Sequence, residues 1–261
     1  MTQLRRYEDK VVVVTGAAGG LGRAFAMGFA AEGAHVVVGD LNSSGLEETV
    51  ALIAEAGSSA TAHVVDLGCE ASIQDFARMI VANHASVDVL INNAGLAYGH
   101  ISETFGGASQ EQWLRYLSVN CVGQVLLADQ LRPAIAKACA EGRQGVIINQ
   151  SSMSSFSPST IYGVTKATLN AITFGMAQDF GVDGIRVLAI APGLIETPAN
   201  RAGLSAELYD WVQGQQVLKK EKGSPADIVA LGLFLASADA RFMTADVISC
   251  DAGNSLRGWR N

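Results

Sequence analysis

The sequence predicts one α/β domain in which helices cover both faces of a parallel β-sheet. Runs rich in β-branched residues alternate with helical segments along the whole chain, and the first run, Val11–Val14, is apolar throughout, as expected of a strand buried on both faces. Of the 261 residues, 49% are hydrophobic and 16% are charged, which allows a substantial core. There is no internal repeat, low-complexity tract or linker, so residues 1–261 are predicted to form a single domain.

Each element follows from its local pattern. Apolar β-branched runs predict strands, and glycine or proline marks the ends of several helices. The predicted strands are Val11–Val14, His35–Val38, Thr61–Val65, Val87–Ile91, Val146–Asn149, Ile185–Ile190 and Asp246–Cys250. The predicted helices are Gly20–Ala31, Ser44–Ala56, Ser72–Asn83, Gln110–Ala138, Pro158–Phe180 and Pro225–Ala236. Pro133 suggests a kink in the long fourth helix.

Composition excludes several classes of function. The formal net charge is −7 and basic residues do not cluster, which argues against a nucleic-acid or anionic-membrane partner. No secretory signal and no apolar run of about 18 residues is found. The four cysteines are widely separated, and we expect reduced thiols in a cytoplasmic protein, although two disulfides are formally possible. The four histidines lack metal-ligand spacing, so no metal site is predicted.

A glycine-rich turn, Thr15-Gly16-Ala-Ala-Gly-Gly20-Leu21-Gly22, lies between the first strand and the first helix. Gly16 would permit the sharp turn, whereas Gly20 and Gly22 would let the backbone approach a pyrophosphate and pack the helix closely. The start of the helix, including Leu21, would offer free N–H groups and the positive end of its dipole. A dinucleotide site is therefore predicted here.

Asp40 supports this prediction, because it follows Gly22 by eighteen residues and ends the second strand. A carboxylate in this place accepts hydrogen bonds from both ribose hydroxyls of NAD and repels the 2′-phosphate of NADP. No Arg or Lys occupies positions 17–19 or 41–43 to offset it. A helix-capping role would also suit Asp40, but it would leave the glycine turn unexplained. NAD is the predicted cofactor.

Tyr162 and Lys166 are four residues apart in a predicted helix, so their side chains share one face. A nearby ammonium favours the phenolate form of a tyrosine, which otherwise titrates near pH ~10. A phenol assisted in this way can exchange a proton with an alcohol oxygen near neutral pH. Together with a dinucleotide site, the pair predicts redox chemistry between an alcohol and a carbonyl.

These motifs, in this order and over nearly the whole length, resemble the short-chain dehydrogenase/reductase family. The residues that carry the resemblance are Thr15-Gly-x-x-x-Gly20-x-Gly22, Asp66-Leu67, Asn92-Asn-Ala-Gly95, Asn120, Ser152, Tyr162-x-x-x-Lys166 and Pro192-Gly193. The resemblance implies a doubly wound (Rossmann) parallel sheet of about seven strands and, usually, a homotetramer.

The resemblance also implies roles for individual residues. It places Asp66 and Leu67 at the adenine, Asn93, Ala94 and Gly95 beside the adenosine ribose, and Ile195 and Thr197 at the nicotinamide amide and nearby phosphate. Asn93 would in addition tie adjacent strands together.

For catalysis, the resemblance implies four residues. Tyr162 would be the general acid/base, and Lys166 would lower its pKa and bind the nicotinamide ribose. Ser152 would hydrogen-bond the substrate oxygen, and Asn120 would hold a water linking Lys166 to solvent. In many family members the serine precedes the tyrosine by thirteen residues, whereas here the interval is ten. Ser151 and Ser154 are therefore alternatives.

The candidate pocket walls are mostly apolar: Tyr98, Met153, Phe156, Leu194 and Trp211. No arginine cluster is available for a carboxylate or phosphate, so a small hydrophobic secondary alcohol or ketone is the expected substrate. Three functions stay open. They are an NAD-dependent alcohol dehydrogenase, a reductase of 3-oxoacyl thioesters, and a noncatalytic protein that senses NAD on the same fold.

The segment Glu196–Gln216 is predicted to be a mobile lid over the substrate. It carries Leu204, Leu208, Trp211 and Val212 at helical spacing, which would give an apolar face that closes on the pocket. The alternative is a permanently docked surface helix.

Overall fold

The computed structural model describes residues 5–97, 105–197, 205–219 and 221–255, and its strands form one parallel sheet. The strands are β1 (Val11–Thr15), β2 (His35–Asp40), β3 (Ala60–Val64), β4 (Val89–Asn92), β5 (Val146–Gln150), β6 (Arg186–Pro192) and β7 (Asp246–Cys250). Their order in the sheet is β3-β2-β1-β4-β5-β6-β7, and every neighbouring pair is parallel. The predicted doubly wound sheet of about seven strands is confirmed.

Eight α-helices are found in the described part of the chain. They are α1 (Gly20–Ala31), α2 (Ser43–Glu55), α3 (Glu70–Asn83), α4 (Gln110–Leu117), α5 (Gly123–Ala140), α6 (Ile161–Phe180), α7 (Ala206–Gly214) and α8 (Pro225–Ala236). Because side chains alternate across a strand, Val12 and Val14 pack under α1, α2 and α8, whereas Val13 packs under α3, α5 and α6. Buried apolar layers therefore cover both faces of the sheet, as predicted.

The predicted helix Gln110–Ala138 is interrupted. A five-residue π-helical segment, Ser118–Val122, separates α4 from α5, and Pro133 lies inside α5. Asn120 lies in this segment and its side chain is buried. The residue pattern could not reveal the interruption, since a π-turn retains helical composition. Single π-turns within α-helices are frequent at functional sites.

The prediction that Pro158 lies in the first turn of the fifth predicted helix was wrong. Helix α6 begins at Ile161, and the Thr160 hydroxyl caps it by accepting a hydrogen bond from the Gly163 N–H at 3.0 Å. Pro158 instead belongs to the loop that packs over the first turn, because a Cβ added at Gly163 would lie 3.1 Å from the Pro158 Cα. The strongest helix-start signal was the capping threonine.

Three further features concern membrane-spanning helices, metal-ligand groups and cysteines. Among the described residues, no helix is both long enough and apolar enough to cross a membrane. Within the same residues, no group of three or more His, Cys, Asp or Glu side chains is arranged to hold a metal ion. All four cysteines are free thiols.

Candidate active site

The candidate site lies at the carboxyl ends of the strands, where the strand order reverses. The chain proceeds from β1 to β2 and β3 on one side and then returns to place β4 on the other side of β1. In open α/β sheets, the crevice at such a reversal is where ligands bind. The predicted residues come from the end of β2, from the loops that follow β1, β3, β4, β5 and β6, from the first turn of α1, and from the π-helical segment and α6.

The glycine-rich turn has the left-handed backbone that its glycines permit. Gly16 and Gly20 have φ angles of +67° and +53°, a region that side-chain-bearing residues rarely adopt. Gly22 is buried beneath the turn, where an added Cβ would collide with the Gly16 carbonyl oxygen and lie 2.6 Å from the Asn93 Nδ2. Gly22 therefore allows α1 to pack closely against the turn.

Asn93 and Thr15 join the turn to the end of β4. The Asn93 amide donates hydrogen bonds to the carbonyl oxygens of Thr15 and Gly16 at 2.9 and 3.2 Å. In return, the Thr15 hydroxyl accepts hydrogen bonds from the backbone N–H groups of Asn93 and Ala94, each at 3.1 Å. Asn93 thus has the strand-tying contacts that the resemblance implies.

Two cavities adjoin at this edge. The smaller, of about 560 Å³, and the larger, of about 1150 Å³, share the lining residues Gly20, Asn93 and Gly95. The predicted residues that line the smaller cavity are Gly16, Gly20, Asp40, Asp66, Leu67, Asn93, Ala94 and Gly95. Those that line the larger cavity are Gly20, Leu21, Asn93, Gly95, Ser152, Tyr162, Lys166, Ile195 and Thr197. Only Gly22 and Asn120 of the predicted site residues line neither.

Asp40 is the last residue of β2 and lines the smaller cavity. Its carboxylate accepts hydrogen bonds from the backbone N–H groups of Ala18 and Asn42 at 3.1 and 3.0 Å. Arg23, which lies outside positions 17–19 and 41–43, lines the same cavity. Its guanidinium contacts the Ala18 carbonyl oxygen and the Glu48 carboxylate, both at 2.6 Å.

Lys166 and Tyr162 meet as the four-residue spacing predicts. The Lys166 Nζ lies 5.6 Å from the centre of the Tyr162 ring and donates a hydrogen bond to the Gln150 carbonyl oxygen at 2.7 Å. Lys166 is only 2% exposed, and this burial lowers its pKa to about 8. The ammonium is therefore desolvated, which strengthens its electrostatic effect on a neighbouring phenolate.

Asn120 lies behind Lys166 and organises the backbone there. Its Oδ1 accepts a hydrogen bond from the Leu96 N–H at 2.7 Å, and its Nδ2 donates to the Leu96 carbonyl and to the Thr165 hydroxyl at 3.1 and 3.0 Å. A Cβ added at Gly95 would lie 3.2 Å from the Asn120 Oδ1 and 3.4 Å from the Lys166 Nζ. Asn120 thus adjoins Lys166, and its water-holding role stays a prediction.

The geometry favours Ser152 over Ser151 as the serine that faces a substrate. The buried Ser151 hydroxyl donates a hydrogen bond to the Asn170 Oδ1 at 2.6 Å. The half-buried Ser152 hydroxyl accepts a hydrogen bond from the Ser154 N–H at 3.2 Å, so its own proton can point into the larger cavity. Ser154 also lines that cavity.

Helix α7 forms one wall of the larger cavity through Leu208, Trp211 and Val212. Two contacts hold this wall: within α7 the Tyr209 hydroxyl donates to the Glu196 carboxylate at 3.2 Å, and after α7 the Val217 N–H donates to the Ala252 carbonyl at 2.8 Å. The other predicted wall residues Met153, Phe156 and Leu194 line the same cavity. Tyr98 and Leu204 lie outside the described residues.

Several residues of the site were missed from the sequence. Arg115 lines the smaller cavity with its Nη2 at 3.5 Å from the Asp66 carboxylate, and the buried Gln124 amide donates to the Ala94 carbonyl at 3.0 Å. Gln150 and Gln216 line the larger cavity. Only Gln150 had a usable signal, because it directly follows the fifth predicted strand, Val146–Asn149, and precedes the serines.

The chain is similar in sequence to known oxidoreductases. A family model described as enoyl-(acyl carrier protein) reductase matches residues 16–255. The uncharacterized oxidoreductase YxbG of Bacillus subtilis is 34% identical over 97% of this chain and 94% of its own length.

Two solved structures are similar over almost the full chain. One is a 7α-hydroxysteroid dehydrogenase in complex with NADH and 7-oxo glycochenodeoxycholic acid, with a TM-score of 0.87, 29% identity and 97% of each chain covered. The other is a 3-ketoacyl-(acyl-carrier-protein) reductase from Brucella melitensis in complex with NADH, with a TM-score of 0.85 and 29% identity, covering 95% of this chain and 99% of that one.

Proposed function

The chain belongs to the short-chain dehydrogenase/reductase family, and we propose that it is an NAD-dependent oxidoreductase that interconverts a secondary alcohol and a ketone by hydride transfer. One observation carries this proposal: Tyr162, Lys166 and Ser152 line one cavity, and that cavity adjoins the smaller one beneath the glycine-rich turn. A substrate and a dinucleotide in the two cavities would meet beside the Tyr162 hydroxyl.

The proposed chemistry assigns a step to each side chain. Bound NAD supplies the hydride acceptor for oxidation, and NADH the donor for reduction. Tyr162 takes the alcohol proton in oxidation and returns it to the carbonyl oxygen in reduction. The desolvated Lys166 ammonium favours the phenolate and binds the nicotinamide ribose, whereas Ser152 donates a hydrogen bond to the substrate oxygen. Asn120 positions the backbone beside Lys166 and holds a water there.

The residues of the two cavities suit a nicotinamide dinucleotide. The smaller cavity offers Asp40 to the adenosine ribose, and Asp66 and Leu67 to the adenine. The larger cavity offers Ile195 and Thr197 to the nicotinamide amide. Solved structures similar to this chain contain either NADH or NADP, so the choice between them rests on this chain's own residues, and we propose NAD because of Asp40.

The Asp40→Ala variant is expected to lower the ratio of kcat/KM with NAD to that with NADP by roughly tenfold, because it removes a carboxylate that repels the 2′-phosphate. Adding Leu41→Arg should lower the ratio further, since the exposed Leu41 lines the smaller cavity and arginine binds phosphate through two hydrogen bonds. Steady-state kinetics with both cofactors measure the effect, and Leu41→Met is the uncharged control. A wild-type preference for NADP would show that a basic residue such as Arg23 dominates the cavity.

The larger cavity suits a hydrophobic substrate. Met153, Phe156, Leu194 and Trp211 line it, and its volume of about 1150 Å³ has room for a substrate beside the nicotinamide. The solved dehydrogenase with a bound 7-oxo bile acid supports a ketone on a large apolar skeleton. The ketoacyl reductase structure supports the second candidate, a reductase of 3-oxoacyl thioesters. A noncatalytic NAD-sensing protein would have no need of the Tyr162, Lys166 and Ser152 arrangement.

A substrate panel tests the proposal. Purified protein is assayed with NADH against cyclic and steroid ketones and 3-oxoacyl thioesters, and with NAD against the matching alcohols, by NADH absorbance. Faster reduction of ring ketones supports the first candidate, and faster reduction of thioesters supports the second. Cofactor binding without turnover of any compound would favour the noncatalytic alternative.

We also propose that the segment Glu196–Gln216 is a lid that closes over the substrate. Helix α7, whose Trp211 is exposed, lines the larger cavity, and the segment follows the proposed nicotinamide contacts Ile195 and Thr197. Hydrogen exchange within residues 205–216 should slow when NADH is added, and slow further with a ketone analogue. The buried α5 amides serve as an internal control. Equal protection in the free and ternary forms would identify a fixed wall.

The protein is further proposed to form a homotetramer, as its family resemblance implies. Exposed apolar side chains support assembly, most clearly Phe174, Val182 and Phe242, which are 47%, 82% and 98% exposed. Light scattering of the purified protein checks this, and a monomer would contradict it.

A further inference from the structure

Gln216 is a buried polar residue in the wall of the larger cavity. It lies two residues after the end of α7, is only 4% exposed, and its Oε1 has no hydrogen-bond partner in the structure. The residues that come after it, Val217, Leu218 and Lys219, are all exposed. A long amide side chain at this point would reach solvent easily, but it is turned inward instead.

A buried amide oxygen without a partner lowers the stability of a folded protein, because it has lost its water and gained no protein contact. Nearly all buried polar groups in native proteins are hydrogen-bonded, so each exception calls for an explanation. In a cavity wall, a bound ligand can supply the missing donor. The position of Gln216 is therefore more consistent with ligand recognition than with a role in packing.

Gln216 and the proposed catalytic residues belong to different parts of the fold. Tyr162 and Lys166 come from α6, and Ser152 follows β5, whereas Gln216 follows α7, where the adjacent Val217 N–H is bound to the Ala252 carbonyl. The adjoining wall of α7 is apolar, with Leu208, Trp211 and Val212 lining the cavity. A ligand that reached both the tyrosine and Gln216 would carry two polar groups on an otherwise apolar body.

We propose that Gln216 binds a second polar group of the substrate, a hydroxyl or N–H separate from the reacting oxygen. This inference rests on the proposed function, and it restricts the substrate class to apolar ketones or secondary alcohols that carry a further hydrogen-bond donor. The free atom is an acceptor, so it repels a carboxylate or phosphate oxygen and attracts an O–H or N–H. A site that hydrogen-bonds a substrate hydroxyl rejects the analogue that lacks it, because its own group is then left unpaired.

The test uses Gln216→Met, which keeps the length of the side chain and removes its amide. Gln213→Met is the matched control, since Gln213 lies at the same end of α7 but does not line the cavity. The probes are ketones that differ by one hydroxyl: androstan-17-one with 3-hydroxyandrostan-17-one, and 1-decalone with 5-hydroxy-1-decalone. The readouts are KM and kcat for each ketone, KM for NADH, and the melting temperature with and without each probe.

Wild type and the Gln213→Met control should favour the hydroxylated member of at least one pair by roughly tenfold or more in KM. Gln216→Met should remove this preference by raising KM for the hydroxylated ketone, and KM for NADH should not move. The ligand-free melting temperature of Gln216→Met should equal or exceed that of wild type, because an unpaired buried amide is gone.

Other outcomes overturn the inference. If wild type shows no preference for the hydroxylated ketone in either pair, the inference fails. A raised KM for NADH in Gln216→Met would assign Gln216 to the cofactor. A melting temperature lowered by several degrees in Gln216→Met would show a structural role. If wild type reduces no ketone at all, the proposed function fails separately. The ligand-induced melting shifts then decide the inference: a larger shift with the hydroxylated probe in wild type alone supports it, and equal shifts contradict it.

Discussion

Replacing Tyr162 by phenylalanine is expected to lower kcat by at least about a hundredfold while NAD binding stays close to that of wild type. The ring that packs beneath the Lys166 Nζ is retained, and only the hydroxyl that exchanges the proton is lost. General acid–base catalysis contributes about 10²–10⁴-fold in enzymes, so the loss should fall in that range. Lys166 and Ser152 would remain to bind the cofactor and polarise the substrate oxygen.

The matched control for this variant is Tyr7→Phe. The buried Tyr7 hydroxyl donates a hydrogen bond to the Leu233 carbonyl oxygen, and Tyr7 lines neither cavity. Tyr7→Phe should therefore lower the melting temperature and leave kcat near wild type, whereas Tyr162→Phe should lower kcat. Kinetics, NAD titration and thermal melting of both variants make the comparison. Retention of more than about a tenth of wild-type activity by Tyr162→Phe would contradict the role of Tyr162.

The second large effect is expected from Gly22→Ala. The added Cβ would collide with the Gly16 carbonyl oxygen and approach the Asn93 Nδ2, which itself bonds the backbone of Thr15 and Gly16. The turn cannot yield without breaking these bonds, so the cost should reach or exceed the ~1–3 kcal/mol typical of overpacking. In a chain of this size, each kcal/mol lowers the melting temperature by about 2–4 °C. Displacement of the turn should also weaken NAD binding by roughly tenfold or more.

Gly19→Ala separates steric strain from ligand contact. A Cβ at Gly19 would have no atom within 4 Å, and the backbone there is extended. The variant should fold with wild-type stability. Because Gly19 lines the smaller cavity, a change in its NAD dissociation constant would come from contact between the added methyl group and the cofactor. Melting temperatures and NAD dissociation constants of both variants are the measurements. A Gly22→Ala protein as stable and as tightly bound to NAD as wild type would show that the turn is looser than its hydrogen bonds indicate.

Local patterns were enough to predict the sheet and the glycine-rich turn. Continuous apolar runs such as Val11–Val14 have few alternatives to a buried strand, and only glycine readily takes the φ angles found at Gly16 and Gly20. The spacing of Tyr162 and Lys166 was equally informative, because a helix brings such residues together whatever the rest of the fold does. These features depend on neighbours within a few residues.

The features that escaped prediction depend on contacts between distant segments. The π-helical segment Ser118–Val122 has an ordinary helical composition, and its buried Asn120 is held by Leu96 and Thr165. Arg23 reaches the smaller cavity because α1 and α2 pack together, which no local pattern states. Gln216 cannot be told from Gln213 and Gln215 in the sequence, and only the folded chain shows that it is buried whereas they are half-buried.

The central claim, hydride transfer to a carbonyl carbon with Tyr162 supplying the proton, is tested most directly by following deuterium. A ketone from the panel is reduced with NADH that carries deuterium at its transferable position, and the label is located in the product by NMR. We predict deuterium on the carbinol carbon with wild-type protein, formed at least about a hundredfold more slowly by Tyr162→Phe. Deuterium on any other carbon, or equal rates for the two proteins, would contradict the account.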